Sequence, residues 1–251
     1  MISYTFSILV KICGGNLTNS KLKHAKTLIK YSFINNKYLI LLSVLAFFIP
    51  VFIAIIFTKN LGPLMEPLIA LLKKQILEGQ VSITYSSIFL NNISSVLRMY
   101  VGGLAFGLLP FFGLFLNGLL VGYFVGKGPV VIILLYIVPH GIFEIPGLIL
   151  AASSGFILFK FVIRFLSNLS KPDWEYIKEN NIKSSDGDEF SKDNIKFKDK
   201  VSISFRKNKS VLIESLVLLA ISAILFVIAA YIEVYLTRDI AHYFITNYHL
   251  I

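Results

Sequence analysis

The chain has 251 residues, of which 56% are hydrophobic and 15% charged, against about 45–50% apolar and about 25% charged in ordinary soluble domains. With a mean hydropathy of +0.75, a soluble enzyme, a disordered chain and a coiled coil are all excluded, because a soluble fold of about 250 residues still exposes about a quarter of its unfolded area. The net charge of +10 fits basic segments that meet anionic headgroups better than nucleic acid, since no basic stripe is interleaved with stacking aromatics.

Residues 1–37 carry six lysines and no acid, which predicts a basic cytoplasmic N-terminal segment. This segment holds the single cysteine, Cys13, so neither an intrachain disulfide nor a cysteine-based zinc site is available. The apolar run 38–57 is long enough to cross roughly 30 Å of hydrocarbon. It lacks the short basic flank and small-residue cleavage site of a signal peptide. The next segment, 58–95, is expected outside. Within it Leu61, Leu64, Met65, Leu68, Ile69, Leu72 and Ile76 recur at helical spacing. They predict an amphipathic helix ended by Gly79, either lying in the interface or packing on other helices.

Two apolar stretches follow, 96–126 and 129–166, with Pro110, Pro139 and Pro146 as expected helix breaks. Parity requires an odd number of crossings here, by three full spans or by re-entrant halves. Residues 167–210 hold ten Lys/Arg and eight Asp/Glu, which predicts a solvated cytoplasmic loop, partly disordered around Ser184-Ser185-Asp186-Gly187-Asp188. A last span is expected at 211–236 and a short outer tail at 237–251. The predicted fold is all-α: a polytopic transmembrane helical bundle of about five spans, with broken or re-entrant helices in the centre. The membrane domain is 38–166, the location is the cell membrane, and the N-terminus is cytoplasmic.

Eleven of the sixteen glycines fall between 102 and 155. Gly118, Gly122 and Gly126 form GxxxGxxxG, and Gly103 and Gly107 form GxxxG. On a helix such spacing gives a flat stripe for close backbone approach, which is how helices associate in lipid. The partner is either another helix of this chain, or a second copy or another protein. A sharper signal is Pro139-His140-Gly141-Ile142-Phe143-Glu144-Ile145-Pro146-Gly147. An ionisable group at membrane depth is costly, by about 2.5–3.5 kcal/mol on insertion scales for Asp, Lys or Arg. His140 and Glu144, four residues apart, share a helix face. Four readings stand: the pair pins a helix break, sits at headgroup level, lines a substrate or proton path, or joins a metal or hydrolytic site. The last lacks its partners. A zinc protease would need a second histidine one turn away, and His24, His242 and His249 lie in the leader and the tail. Asn92, Asn117 and Arg98 complete the intramembrane polar set. Arg98 is either a snorkelling anchor or a partner of Glu144.

These motifs carry a resemblance. The order Asn91-Asn92, a glycine-rich span, Asn117-Gly118-x-x-x-Gly122, then Pro139-His140-Gly141-x-x-Glu144-x-Pro146 resembles the stage II sporulation protein M family of integral membrane proteins. The resemblance covers about residues 35–235, excludes the charged segment 167–210, and is strongest over 89–166. It implies a polytopic scaffold that holds partner proteins at a membrane, with Asn92, Asn117, His140 and Glu144 in structural or binding roles and no reaction of its own. The first functional expectation is therefore a membrane scaffold that is not an enzyme. It would have no cofactor, no metal and no nucleic-acid partner. Its partners would be membrane lipids and a protein or second copy docked through glycine-faced helices. The alternative is a small-molecule or ion permease with an intramembrane His/Glu site.

Overall fold

The computed structural model describes residues 19–78, 85–182 and 195–248, and among these every regular element is helical. Cys13, Gly79, the 184–188 segment and His249 lie outside the described residues. In chain order the helices are α1 Asn19–Asn35, α2 Lys37–Ile56, α3 Thr58–Leu77, α4 Tyr85–Gly102, α5 Leu108–Lys127, α6 Val130–Ser170, α7 Trp174–Glu179, α8 Phe197–Ile232 and α9 Arg238–Tyr248. A π-helical turn, Glu233–Thr237, joins α8 to α9.

Four helices are long and apolar enough to cross a membrane: α2, α5, α6, and α8 with its π-turn. Five crossings were expected. The remaining element is α4, an 18-residue helix made more polar by Asn91, Asn92, Ser94, Ser95 and Arg98. It nevertheless runs inside the bundle against α5, α6 and α8, and it begins at Tyr85, well before the apolar run.

The expected helix breaks are displaced. α6 is one continuous helix of 41 residues with Pro139 and Pro146 inside it, and Pro110 sits in the first turn of α5. At that position the missing N–H has no intrahelical acceptor to lose. The chain breaks instead at the glycines between α4 and α5. Phe106 and Gly107 take φ of 55° and 71°, a left-handed conformation that suits glycine. Gly103 and Gly107 therefore belong to a tight turn, not to a helical stripe. Gly103 still packs closely, because a Cβ there would collide with the Gly155 carbonyl of α6.

Gly118, Gly122 and Gly126 do form a stripe, and it faces α2. A Cβ on each would meet, in turn, the carbonyl of Phe47, the carbonyl of Val51 and the hydroxyl of Thr58. The partner of this stripe is thus within the chain. The rising numbers on both sides show that α5 runs parallel to α2. α6 runs antiparallel to both, since Lys160 bonds Asn36 and Ser153 bonds Ser43. α8 runs antiparallel to α6 through the largest interface of the bundle. Two hydroxyls cross it: Ser204 donates to the Phe165 carbonyl and Ser222 to the Gly147 carbonyl, each at 2.7 Å.

The core is centred on Phe47, Val96, Leu114, Ala151, Ala152 and Phe226. In α6 every residue from Gly147 to Leu158 is buried. The amphipathic segment is helical, as its spacing predicts, and it packs on α5. Met65 is buried with Leu119 and Tyr123, while Leu64, Leu68 and Leu71 remain exposed. Of the charged segment 167–210, residues 167–170 continue α6 and 197–210 open α8.

Candidate functional site

The bundle has two poles. The basic pole holds Asn36, Lys160 and Glu214, and the distal pole holds the ends of α2 and α5 and the π-turn. The motif residues gather toward the distal pole. α6 supplies His140 and Glu144 from one face, as the four-residue spacing requires, and α5 supplies Asn117. All three line one cavity of about 180 Å³, whose other walls include Phe47, Val121, Phe124 and Ile137. Sixteen residues separate Glu144 from Lys160, so the carboxyl lies about 24 Å from the basic pole along the helix axis.

His140 Nε2 stands 3.6 Å from Glu144 Oε2, with side chains 16% and 29% exposed. The pair is therefore neither sealed in the core nor out in solvent. On its other side His140 Nδ1 lies 3.3 Å from the Thr237 hydroxyl. That hydroxyl donates its proton to the Ile232 carbonyl at 3.1 Å, five residues back across the π-turn. His140 thus bridges Glu144 on its own helix and Thr237 at the end of the π-turn.

The other predicted residues are placed differently. Asn117 donates to its own helix, to the Gly113 carbonyl at 2.8 Å. Asn92 is 9% exposed and its Nδ2 has no hydrogen-bond partner among the described residues. Its helical register against α5 puts it at about the depth of the cavity, although it does not line it. Arg98 is exposed and donates to Ser95 at 2.9 Å. It does not reach Glu144; it lies on the rim of a groove between α4 and α5, next to Met99, which packs on the Gly155 backbone of α6. Among the described residues no group of three or more His, Cys, Asp or Glu is placed to hold a metal ion.

The basic pole contains a second polar cluster that sequence reasoning missed. Glu214 is 7% exposed and accepts from Asn35 Nδ2 and Asn36 Nδ2, both at 2.7 Å. Asn36 is nearly fully buried at the junction of α1 and α2, and its amide oxygen accepts from Lys160 Nζ at 3.0 Å. One carboxylate, one ammonium and two amides thus tie α1, α2, α6 and α8 together. The signal available in the sequence was the doublet Asn35-Asn36 just before an apolar run, with an acid (Glu214) just inside another.

At the distal end of the α3–α5 contact, Lys127 donates to Glu66 at 2.6 Å. That hydrogen bond holds the Glu66 carboxyl below its ordinary pKa. Near the basic pole Asp173 caps α7 by accepting from the Tyr176 amide at 3.1 Å, and it also accepts from Lys207. The lysine contact, first, and the backbone contact hold the Asp173 pKa below its ordinary value.

No solved structure matches this chain. An uncharacterized protein of Methanocaldococcus jannaschii is 33% identical over 172 residues, covering 66% of this chain and 78% of its own length. The family model described as stage II sporulation protein M matches residues 43–238, a range that contains the glycine stripe, the distal cavity and Glu214. The chain is a helical membrane protein that belongs to the stage II sporulation protein M family.

Proposed function

We propose that this protein is an assembly scaffold embedded in the cell membrane, with the basic pole in the cytoplasm, which docks the transmembrane helix of a partner protein. The orientation follows from the lysines of residues 1–37 and the rule that basic segments stay inside. The carrying observation is the unbroken buried stretch from Gly147 to Leu158 in α6. It spans about 16 Å between the two polar layers, which supports a closed, non-conducting bundle. What the fold leaves open is lateral. A groove of about 750 Å³ runs between α4 and α5, walled by Leu97, Val101, Leu104, Phe112 and Leu116. Asn117 and Arg98 are its polar marks, and a hydrogen-bonding side chain on a docked helix would find them there.

The test is to fill the groove. Ala105, exposed on its wall, is replaced by Trp, and cross-linking from that face is compared in native membranes. The scaffold predicts a stoichiometric partner with the wild type that is lost in Ala105→Trp, at an unchanged thermal midpoint. Equal capture by both proteins would refute the groove as the docking site. The half-open cavity at His140 and Glu144 favours a second reading, a permease. That reading predicts solute flux in liposomes which Glu144→Gln abolishes, and a sealed bilayer would refute it.

A further inference from the structure

A third polar feature belongs to neither cluster. At the basic pole a groove of about 400 Å³ lies between the end of α6 and the start of α8. Arg164, Ser167 and Asn168 line it from α6, and Lys207, Asn208 and Ser210 from α8. Ile163 and Val211 form its apolar part. We propose that this groove binds the phosphate of an anionic lipid headgroup, with Arg164 as its principal contact.

The charge arithmetic is the first argument. Of the cations in or beside this groove, Lys160 is offset by Glu214 through Asn36, and Lys207 is held by Asp173. Arg164 makes no ion pair among the described residues, and its charged neighbour is another cation, Lys160. A guanidinium beside a like charge, with hydroxyls and amides around it, matches the bidentate geometry of a phosphate.

Depth is the second argument. α2 begins at Lys37 and has 20 residues, which span about 30 Å, the thickness of the hydrocarbon. Asn36 therefore marks the hydrocarbon edge, and Lys160 is bonded to it. Arg164 is one turn further out and Ser167 nearly two, about 6–10 Å beyond that edge. The headgroup layer is about 5–7 Å thick on each side, so Arg164 lies within it and Ser167 at its outer margin. Ile163 and Val211 give the groove an apolar wall that suits the start of an acyl chain. Basic pockets of this kind between membrane helices recognise anionic headgroups.

The test is native mass spectrometry of the full-length protein in mild detergent, titrated with phosphatidylglycerol, phosphatidylcholine or inorganic phosphate. The wild type should retain one phosphatidylglycerol in preference to phosphatidylcholine. Arg164→Gln, an exposed position that leaves the thermal midpoint unchanged, should weaken that binding about tenfold, as expected for losing one charge-assisted contact. Three outcomes overturn the proposal. Equal retention of the two lipids, or an unaffected Arg164→Gln, removes the site. Displacement of the lipid by millimolar inorganic phosphate assigns it to free phosphate. Binding that appears only when Asp186, Asp188 and Glu189 are neutralised assigns it to the chain's own acidic segment.

Discussion

Replacing Gly122 by alanine adds one methyl group to α5 at its contact with α2. The added Cβ would collide with the Val51 carbonyl oxygen and would stand 2.8 Å from Val51 Cα and 2.9 Å from Ala54 Cβ. Two of these neighbours are backbone, so no side-chain rotation relieves the overlap, and the helices must separate by roughly an ångström. A gap of 0.5–1 Å forfeits about a quarter to a half of each van der Waals contact. Along three successive glycines the loss is shared by every atom pair in the seam. Overpacking of this sort costs about 1–3 kcal/mol. Gly141→Ala is the matched control in α6. Its Cβ meets Ile137 at 3.4 Å and Ile145 at 3.8 Å, ordinary contacts, so the gain in helix propensity, about 0.5–1 kcal/mol, survives. In thermal unfolding in detergent, Gly122→Ala should melt lower than the wild type and Gly141→Ala at or above it. Gly118→Ala combined with Gly122→Ala should cost less than the two single changes together, because helices already parted admit the second methyl more cheaply. If Gly122→Ala and Gly141→Ala shift the midpoint alike, the stripe does not hold α5 to α2.

The cluster at the basic pole predicts a strong effect from a residue outside the sequence motifs. Glu214→Ala leaves the buried Asn36 Nδ2 with its Ser32 carbonyl bond alone and takes the carboxylate from the Asn36–Lys160 chain, at a cost of about 1–3 kcal/mol, while exposed Asn35 exchanges its bond for water; unfolding in detergent should show the loss, and a change within error would refute the cluster. Asp173 gives a pH dependence. Its pKa is depressed in the folded state, so its stabilisation of α7 is complete above the ordinary aspartate value and is lost as pH falls through the depressed one. Trp174, the sole tryptophan, opens α7 and reports this by fluorescence. The signal should hold at neutral pH and change only below the usual aspartate range, whereas Lys207→Gln should shift the change upward; a transition near neutrality in the wild type would contradict the assignment.

The bilayer-crossing helices were legible because apolar length is a local property. So was the shared face of His140 and Glu144, which needs only the helical repeat. The GxxxGxxxG of α5 was legible as a packing face, but its partner was not, since one glycine stripe suits any flat surface and only the three-dimensional register selects Phe47, Val51 and Thr58. Helix breaks were misread for a related reason. Proline and glycine in the 139–147 motif weaken a helix locally, yet α6 continues through them, packed against α8 with Ser222 bonded to the Gly147 carbonyl. The Gly103–Gly107 turn, by contrast, has no such support and folds over onto α6. α4 was hidden by its asparagines and arginine, which dilute hydropathy although Val96 and Met99 are buried in the core.

The arrangement of polar groups bears on function more than any one residue does. Hydrogen-bonded ionisable groups form two layers about 24 Å apart along α6, His140 with Glu144 at one end and Lys160 with Glu214 at the other. Between them Arg98 with Ser95 marks the groove of α4 and α5, while the polar contacts of α6 with α2 and α8 are hydroxyls, such as Ser153 to Ser43 at 2.8 Å. These small side chains let α6 lie close to α2 and α8, and close packing is what replaces water exclusion as the cohesive force in lipid. Opening a path between the layers would mean parting these contacts together, at the cost of the packing that holds α6 in place. The proposed scaffold would keep its middle shut and present its grooves sideways and at the headgroup level, which is where a partner helix and a lipid phosphate would bind.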